Sequence, residues 1–364
     1  MIRLLVIDDS PLVQRMLTEL FEQVPDIEVV GVASDPYMAR EKIKQLKPDV
    51  LTLDVEMPRM DGLTFLKNLM RLHPLPVVMI STLTAKGAGV TLQALELGAV
   101  DFVSKPKLDV NQGLEGYADE IIGKVRQAAV ARLQTKKPAL AVPLVISEKL
   151  SADAVLPPAP NLPRVFRGND RIIGIGSSTG GTEAIKEVLI NLPPDMPGIV
   201  VSQHIPEAFS GPFAARVNGL TPLTVMEVRD AQPILAGHVY IAPGNRHLLV
   251  IREGARYICS LNDGPLVNRH KPSVDVMFRS LAQNVGSNTV GVILTGMGDD
   301  GAEGLGEMKR AGALTIAQDE KTSVVWGMPG EAVKRGYVDE VLPLSKIGKR
   351  LEELRQGRKG SRES

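Results

Sequence analysis

Cysteine is almost missing from this sequence. One residue in 364, Cys259, leaves no intrachain disulfide and no cysteine-rich zinc site. A reducing, cytoplasmic compartment is therefore expected. Aromatic residues are scarce at 4%, so the cores have to be aliphatic. No apolar run approaches the roughly eighteen residues that a membrane helix needs. The opening run, Met1–Ile7, meets Asp8 and Asp9 and is too short for a secretion signal. Charge of one sign is not in excess either: 42 Lys+Arg stand against 42 Asp+Glu. Nucleic-acid binding needs a basic surplus or patch, and the zero net charge argues against it. The expectation is a soluble cytoplasmic protein with no nucleic-acid partner and no direct membrane insertion.

What is present reads as two α/β domains, in line with about 150 residues per domain. Over 1–122, short aliphatic runs alternate with helical patterns: Leu4–Asp8, Glu28–Ala33, Val50–Asp54, Val77–Ser81 and Asp101–Ser104. These runs are near-continuously apolar rather than alternating, as in parallel strands covered on both faces. Ser10-Pro11 and Asp35-Pro36 are cap-then-proline helix starts. Five βα units predict a doubly wound α/β domain with a (βα)5 layout. Residues 123–168 read as a helix, over about 115–134, running into a linker. Six of the 26 prolines fall within 136–168, a semi-extended pattern with few apolar residues to pack. Residues 169–356 return to α/β, with strands over Arg171–Gly176, Gly198–Gln203, His238–Ala242, Thr289–Thr295 and Leu314–Ala317. Helical patterns follow near 181–191, 207–218, 273–284 and 302–311, which predicts a second, Rossmann-like, mostly parallel sheet. A polar tail closes the chain over 357–364.

The strand ends of the first domain carry its chemistry. Asp8 and Asp9 end the first strand, Asp54 the third, Ser81 the fourth and Ser104-Lys105-Pro106 the fifth. A doubly wound sheet gathers those ends into one crevice. Clustered carboxylates suit a hard cation such as Mg²⁺, and an aspartate beside it and a lysine can accept a phosphoryl group. Any one of these acids alone would merely start a loop. Together with Met57-Pro58 and Asp61-Gly62 they resemble the response-regulator receiver family. That resemblance implies phosphorylation of Asp54 by a histidine kinase. It implies Mg²⁺ at Asp9 and Asp54, beside Asp8, with the Glu56 carbonyl as a further ligand. It gives Ser81 and Lys105 contacts to the phosphoryl group, and puts Phe102 where the family has its aromatic switch, although Phe102 could equally be core.

The second domain opens on a strand, then Gly176-Ser177-Ser178-Thr179-Gly180-Gly181, then a helix. Such a turn can hold a phosphate or a nucleophile. As a dinucleotide fingerprint it is one residue off, and the next strand ends in His204 rather than in an acid. As a serine turn it gains from His204, and from the glycine loop Thr295–Gly301 with its Asp299 and Asp300. Serine, histidine and aspartate on three strand ends can form a nucleophile, base and orienting carboxylate. Spacing does not decide between that relay and a turn, a buried histidine and a loop aspartate that never meet. Four other histidines exist: His73, His238, His247 and His270. His238 and His247 flank one hairpin-like segment, Gly237–Val250, and no H-x-x-x-H spacing supports a metal site.

Residues 170–345 resemble the chemotaxis methylesterase (CheB) family through Gly176–Gly181, Gln203-His204-Ile205-Pro206, Ala242-Pro243-Gly244, Arg269–Ser273 and Leu294–Gly301. The resemblance implies Ser178, not Ser177, as nucleophile, His204 as base and Asp300, not Asp299, as the third member. It implies oxyanion support at Met297 and Thr179. The activity implied is hydrolysis of glutamate γ-methyl esters, and deamidation of selected glutamines, on methyl-accepting chemoreceptors. No cofactor is expected for that step; Mg²⁺ serves the receiver alone. The family's receiver packs across its catalytic cleft, and phosphorylation shifts that packing. A non-enzymatic phospho-dependent adaptor is the alternative, and the complete Ser178, His204 and Asp300 set argues against it.

Overall fold

Apolar runs become strands where their side chains are covered, most fully at the centre of the sheet: all five residues of Val50–Asp54 and of Val77–Ser81 are buried. The computed structural model describes residues 1–57, 60–81, 85–105, 114–131, 149–158 and 171–356. It divides into two units, Met1–Val142 and Pro143–Ser364.

The first unit runs β1 (Ile2–Ile7), α1 (Pro11–Glu22), β2 (Ile27–Ala33), α2 (Pro36–Leu46), β3 (Val50–Asp54), α3 (Gly62–Leu72), β4 (Val77–Ser81), α4 (Ala85–Glu96), β5 (Asp101–Ser104) and α5 (Leu114–Val130). All strands pair parallel in the order β2-β1-β3-β4-β5. Both cap-then-proline starts are formed: Ser10 Oγ accepts from Val13 N, and Asp35 accepts from Tyr37 N and Met38 N. Each supplies an acceptor to amides that a helix start leaves unpaired.

The second unit runs β6 (Ile172–Ser177), α6 (Gly181–Leu189), β7 (Gly198–Gln203), α7 (Glu207–Asn218), β8 (Thr224–Glu227), β9 (Gln232–Pro233), β10 (His238–Ile241), β11 (His247–Glu253), β12 (Arg256–Asn262), α8 (Val274–Asn284), β13 (Thr289–Ile293), α9 (Ala302–Arg310), β14 (Leu314–Gln318), α10 (Met328–Lys334), β15 (Glu340–Leu342) and α11 (Leu344–Gln356). Seven strands form a parallel sheet in the order β15-β14-β13-β6-β7-β10-β8. The central strand β6 lies between β13 and β7. The chain builds out from β6 through β7 on one side and later crosses to β13 on the other, so a crevice opens at the carboxyl end of β6. Phe278 and Leu281 of α8 pack with Ile293, Leu305 and Met308 in a hydrophobic core.

Two expectations change. Gly237–Val250 is not a hairpin. β10 stays in the parallel sheet, while β11 pairs antiparallel with β12, and β12 with β9, in a separate three-stranded sheet. Ala242-Pro243-Gly244 carries the chain out between them, and Pro243 has no N–H to extend a ladder. The linker expected over 136–168 is also not featureless throughout. Residues 149–158 belong to the second unit, and Ala152, in a 3₁₀ turn, is buried against Leu249, Val267 and Val276. The remainder of that stretch, Phe166 and the tail 357–364 lie outside the described residues. No helix among the described residues is long and apolar enough to cross a membrane.

Candidate active site

Three neighbouring strand ends of the second unit deliver Ser178, His204 and the loop carrying Asp300. Ser178 directly follows β6 and His204 directly follows β7; the His204 N–H donates to the Ser177 carbonyl at 3.1 Å, continuing the strand pairing. On the other side, Ser178 N–H donates to the Thr295 carbonyl at 3.0 Å, which ties the turn to the loop after β13. That loop passes very close. A Cβ added to Gly296 would stand 2.8 Å from Ser178 Cβ and 2.3 Å from Met328 Sδ, so only glycine fits. Gly180, at φ +75°, makes the sharp turn into α6, a left-handed conformation that favours glycine. Met297 is half-buried on the same loop, and Thr179 is buried, its carbonyl accepting from Thr295 Oγ1 at 3.0 Å.

The two adjacent serines have different environments. Ser177 is fully buried and its hydroxyl donates to Gln203 Oε1 at 2.6 Å. Ser178 is half-buried, and among the described residues only its main chain is engaged: Gln203 Nε2 and Gly181 N donate to its carbonyl at 2.9 and 2.7 Å. The two adjacent aspartates separate as clearly. Asp299 pairs outward with Lys149 and with Arg335. Asp300 is 2% exposed, and its Oδ2 lies 2.8 Å from His204 Nε2.

Asp300 is held on every side. Ser273 Oγ, Asn268 Nδ2 and Asp275 N donate to Oδ1 at 2.8, 2.7 and 3.3 Å, and Val274 N donates to Oδ2 at 2.7 Å. Two of these donors are the first amides of α8, whose positive end suits an anion. Burial alone would oppose ionisation. The hydrogen bonds and charges of His204, His270 and Asn268 outweigh it and hold this carboxyl below the ordinary aspartate range. Asp275, buried behind it, goes the other way: burial and then the Asp300 charge push it up.

With Nε2 on Asp300, the other ring nitrogen of His204, Nδ1, is buried and has no hydrogen-bond partner among the described residues. It makes no hydrogen bond with the Ser178 hydroxyl in this structure. His270 stacks on the His204 ring, centroids 3.7 Å apart and 14° from parallel. His247 is structural, its Nε2 bonded to the Pro265 carbonyl and its Nδ1 accepting from Ser273 N. His238 bonds the nearby Ala236 carbonyl. Sequence patterns assign no role in the site to Ser273 or Asp275, and place Asn268 only in a basic loop, Asn268–Pro272, that could line a site. Ser273 carries a signal, as the N-cap before a helical pattern; Asp275 is identified only by what it touches.

In the first unit, carboxylate oxygens of Asp8, Asp9 and Asp54 converge within 4.8 Å of one another. Lys105 Nζ lies 2.8 Å from Asp54 Oδ2 and 3.2 Å from Asp8 Oδ2. That second approach lacks hydrogen-bond geometry and leaves Asp8 Oδ2 as a buried oxygen with no donor among the described residues. Burial, with Asp8 adding to it and Lys105 opposing, pushes Asp54 up to about 6. Asp8 is raised as well, chiefly by burial. Uncompensated negative charge on hard oxygen donors is what a divalent cation would neutralise, so the residues fit Mg²⁺. Ser81 is buried at the end of β4; Glu56 is exposed, its N–H 3.3 Å from Asp54 Oδ1. Phe102 is 3% exposed, with Lys124 Nζ 4.9 Å from its ring centroid. Pro58 and Pro106 lie outside the described residues.

An acidic receiver followed by an α/β effector is the layout of a response regulator. Residues 4–113 match the family model of the response regulator receiver domain, and residues 173–351 match that of CheB methylesterase. The chain belongs to the protein-glutamate methylesterase/protein-glutamine glutaminase family, CheB. A relative so named from Hydrogenovibrio crunogenus is 59% identical, over 96% of this chain and 98% of its own. Another, from Xanthomonas campestris pv. campestris, is 57% identical over 96% of each. Among solved structures, the Thermotoga maritima CheB methylesterase catalytic domain is 40% identical, with a TM-score of 0.50, covering 52% of this chain and all of that one.

Proposed function

We propose that this protein is a phosphorylation-activated protein-glutamate methylesterase and protein-glutamine glutaminase acting on chemoreceptors in the cytoplasm. The observation that carries the reading is the buried Asp300–His204 pair at the end of the strand next to half-exposed Ser178, with Ser177 and Asp299 committed elsewhere. Ser178 Oγ attacks the γ-carbonyl of a glutamate methyl ester. His204 accepts the proton at Nδ1, because Nε2–H stays on Asp300. Asp300 remains ionised throughout; it fixes the tautomer and stabilises the imidazolium. Backbone donors of the turn and of the Met297 loop, with Thr179 in support, hold the oxyanion, roughly 3–4 kcal/mol per donor in other hydrolases. His204 returns the proton to methanol, or to ammonia from a glutamine, and water then hydrolyses the γ-glutamyl ester on Ser178. None of these steps involves a group outside the chain, the substrate and water.

In the receiver, Asp54 accepts the phosphoryl group from a chemotaxis histidine kinase. Asp9, Asp54 and the Glu56 carbonyl would hold Mg²⁺, with Asp8 alongside, and the ion would neutralise charge as the acyl phosphate forms. Lys105 and Ser81 bind the phosphoryl oxygens, and Phe102 is the switch aromatic. Methanol release from a methylated chemoreceptor cytoplasmic fragment tests the esterase reading. Ser178→Ala should lower it on the order of 10⁵-fold or more. Retention of activity would overturn the assignment.

A further inference from the structure

The stretch Lys149–Pro158 lies, in chain order, between the receiver's last helix and the first strand of the effector, yet it is built into the effector. Lys149 pairs with Asp299, the residue before Asp300. The Leu150 carbonyl accepts the Asn268 backbone N–H at 2.9 Å. Ala152 is 4% exposed and packs with Leu249, Val267 and Val276. Arg279, itself nearly buried, donates to Asp153 at 2.5 Å and to the Leu156 carbonyl at 2.8 Å while gripping Glu307. Gln283 donates to the Pro157 carbonyl at 2.9 Å. A nearly buried guanidinium with this many partners fixes the segment firmly, since breaking such a set leaves charge unpaired.

Asn268 connects this segment to the site. Its side-chain nitrogen donates to Asp300 Oδ1 at 2.7 Å and to Asp275 Oδ2 at 2.6 Å, bridging two buried carboxylates that otherwise repel. Its backbone is left-handed, at φ 52°, a conformation that is uncommon outside glycine and asparagine. The Leu150 carbonyl anchors that backbone. A cavity of about 260 Å³, lined by Lys149, Asp153, Asn268, Asp275 and Asp299, gives Asn268 room to shift once the anchor is lost.

We propose that Asn268 is a positioning residue for the Asp300–His204 pair, and that Lys149–Pro158 is the strut that sets it. The proposal rests on the reading of Ser178, His204 and Asp300 as catalytic. It makes the middle of the linker stretch a positioning element for the site, acting through Asn268 and Asp300 on His204.

The test uses the full chain and methanol release from a methylated receptor fragment. Asn268→Gly tolerates the left-handed backbone and keeps the main-chain bond to Leu150, removing only the carboxamide. It should lower kcat on the order of 10²-fold, as misplacement of a catalytic group by about 1 Å does, with KM changed less than about twofold. Lys149→Glu and Ala152→Arg, which unseat the strut, should each lower kcat about tenfold in the native background. In the Asn268→Gly background the same changes should cost less than about twofold, because residues acting through one another are not additive. Lys149→Glu, at a solvent-accessible position, keeps the test standing if Ala152→Arg does not fold. Near-native kcat for Asn268→Gly overturns the role of Asn268. Equal losses in both backgrounds, or no loss in either, overturn the strut. If Ser178→Ala remains active, the underlying triad reading fails instead, and the two failures are told apart by that control.

Discussion

Replacing Asp300 by asparagine isolates the chemistry of one oxygen. The side chain keeps its shape, but one of two acceptors becomes an NH₂ donor. Either placement of that NH₂ is unfavourable. On the Oδ2 side it confronts Val274 N–H and His204 Nε2, which lie 2.7 and 2.8 Å from that oxygen. The imidazole must then turn its proton to Nδ1, the nitrogen that has to accept from Ser178. On the Oδ1 side it confronts Asn268 Nδ2 and Asp275 N; the Ser273 hydroxyl alone can rotate to accept. At least one buried donor is left unpaired, which costs about 1–3 kcal/mol, and relief of the repulsion with Asp275 returns part of it. Activity should fall about 10⁴-fold, the size of effect seen when a triad aspartate is amidated. Stability of the effector is read from urea unfolding followed by the fluorescence of Trp326, the chain's one tryptophan. It should drop by about 1–3 kcal/mol at pH 7. The pH dependence has a fixed sign. The Asp300 carboxyl lies below its unfolded value, so its contribution is present above about pH 4 and is lost as pH falls through the folded value. The gap between native and variant chains should therefore narrow on acidification below about pH 4. A variant with more than a tenth of native activity, or one more stable than the native chain at pH 7, would refute this account of Asp300.

The adjacent serines should behave oppositely. Ser178→Ala abolishes methanol release with unfolding unchanged, whereas Ser177→Ala keeps activity and loses about 1 kcal/mol, for the buried bond to Gln203. Exchanged phenotypes would reverse the assignment. Gly296→Ala drives a Cβ into Ser178 and Met328; it should cost about 1–3 kcal/mol and most of the activity, checked by the same two assays. Asp54→Asn should keep basal esterase activity and lose stimulation by a small phosphodonor with Mg²⁺, measured as phosphodonor-dependent methanol release. Because Asp54 is pushed up to about 6 and must be ionised to bind the cation, Mg²⁺ affinity should weaken as pH falls through about 6. Affinity that is flat from pH 7 to 5 would argue against Asp54 as a ligand.

Local features of this chain are legible in its amino-acid order alone. Near-continuous apolar runs mark β3, β4 and β7, because a strand covered on both faces is mostly apolar. The Ser10-Pro11 and Asp35-Pro36 starts announce their helices, since a cap is satisfied within its own first turn. The acids at the ends of β1 and β3 can be expected together, because parallel strands bring their carboxyl ends to one edge. Family resemblance, rather than spacing, chooses Ser178 over Ser177. Only the tertiary structure gives a physical reason for that choice: one hydroxyl is buried on Gln203 and the other is not. The same holds for Asp299 and Asp300, neighbours in sequence that face Arg335 and His204 respectively. Tertiary packing also places β11, β12 and β9 in a sheet of their own and seats Lys149–Pro158 on the effector, neither of which a local pattern encodes. Periodicity records whether a residue is covered, but not by what. The partners of Asp300 come from residues 25 to 96 positions away, and only the packing of β6, β7, β13 and α8 against one another brings them to a single carboxylate.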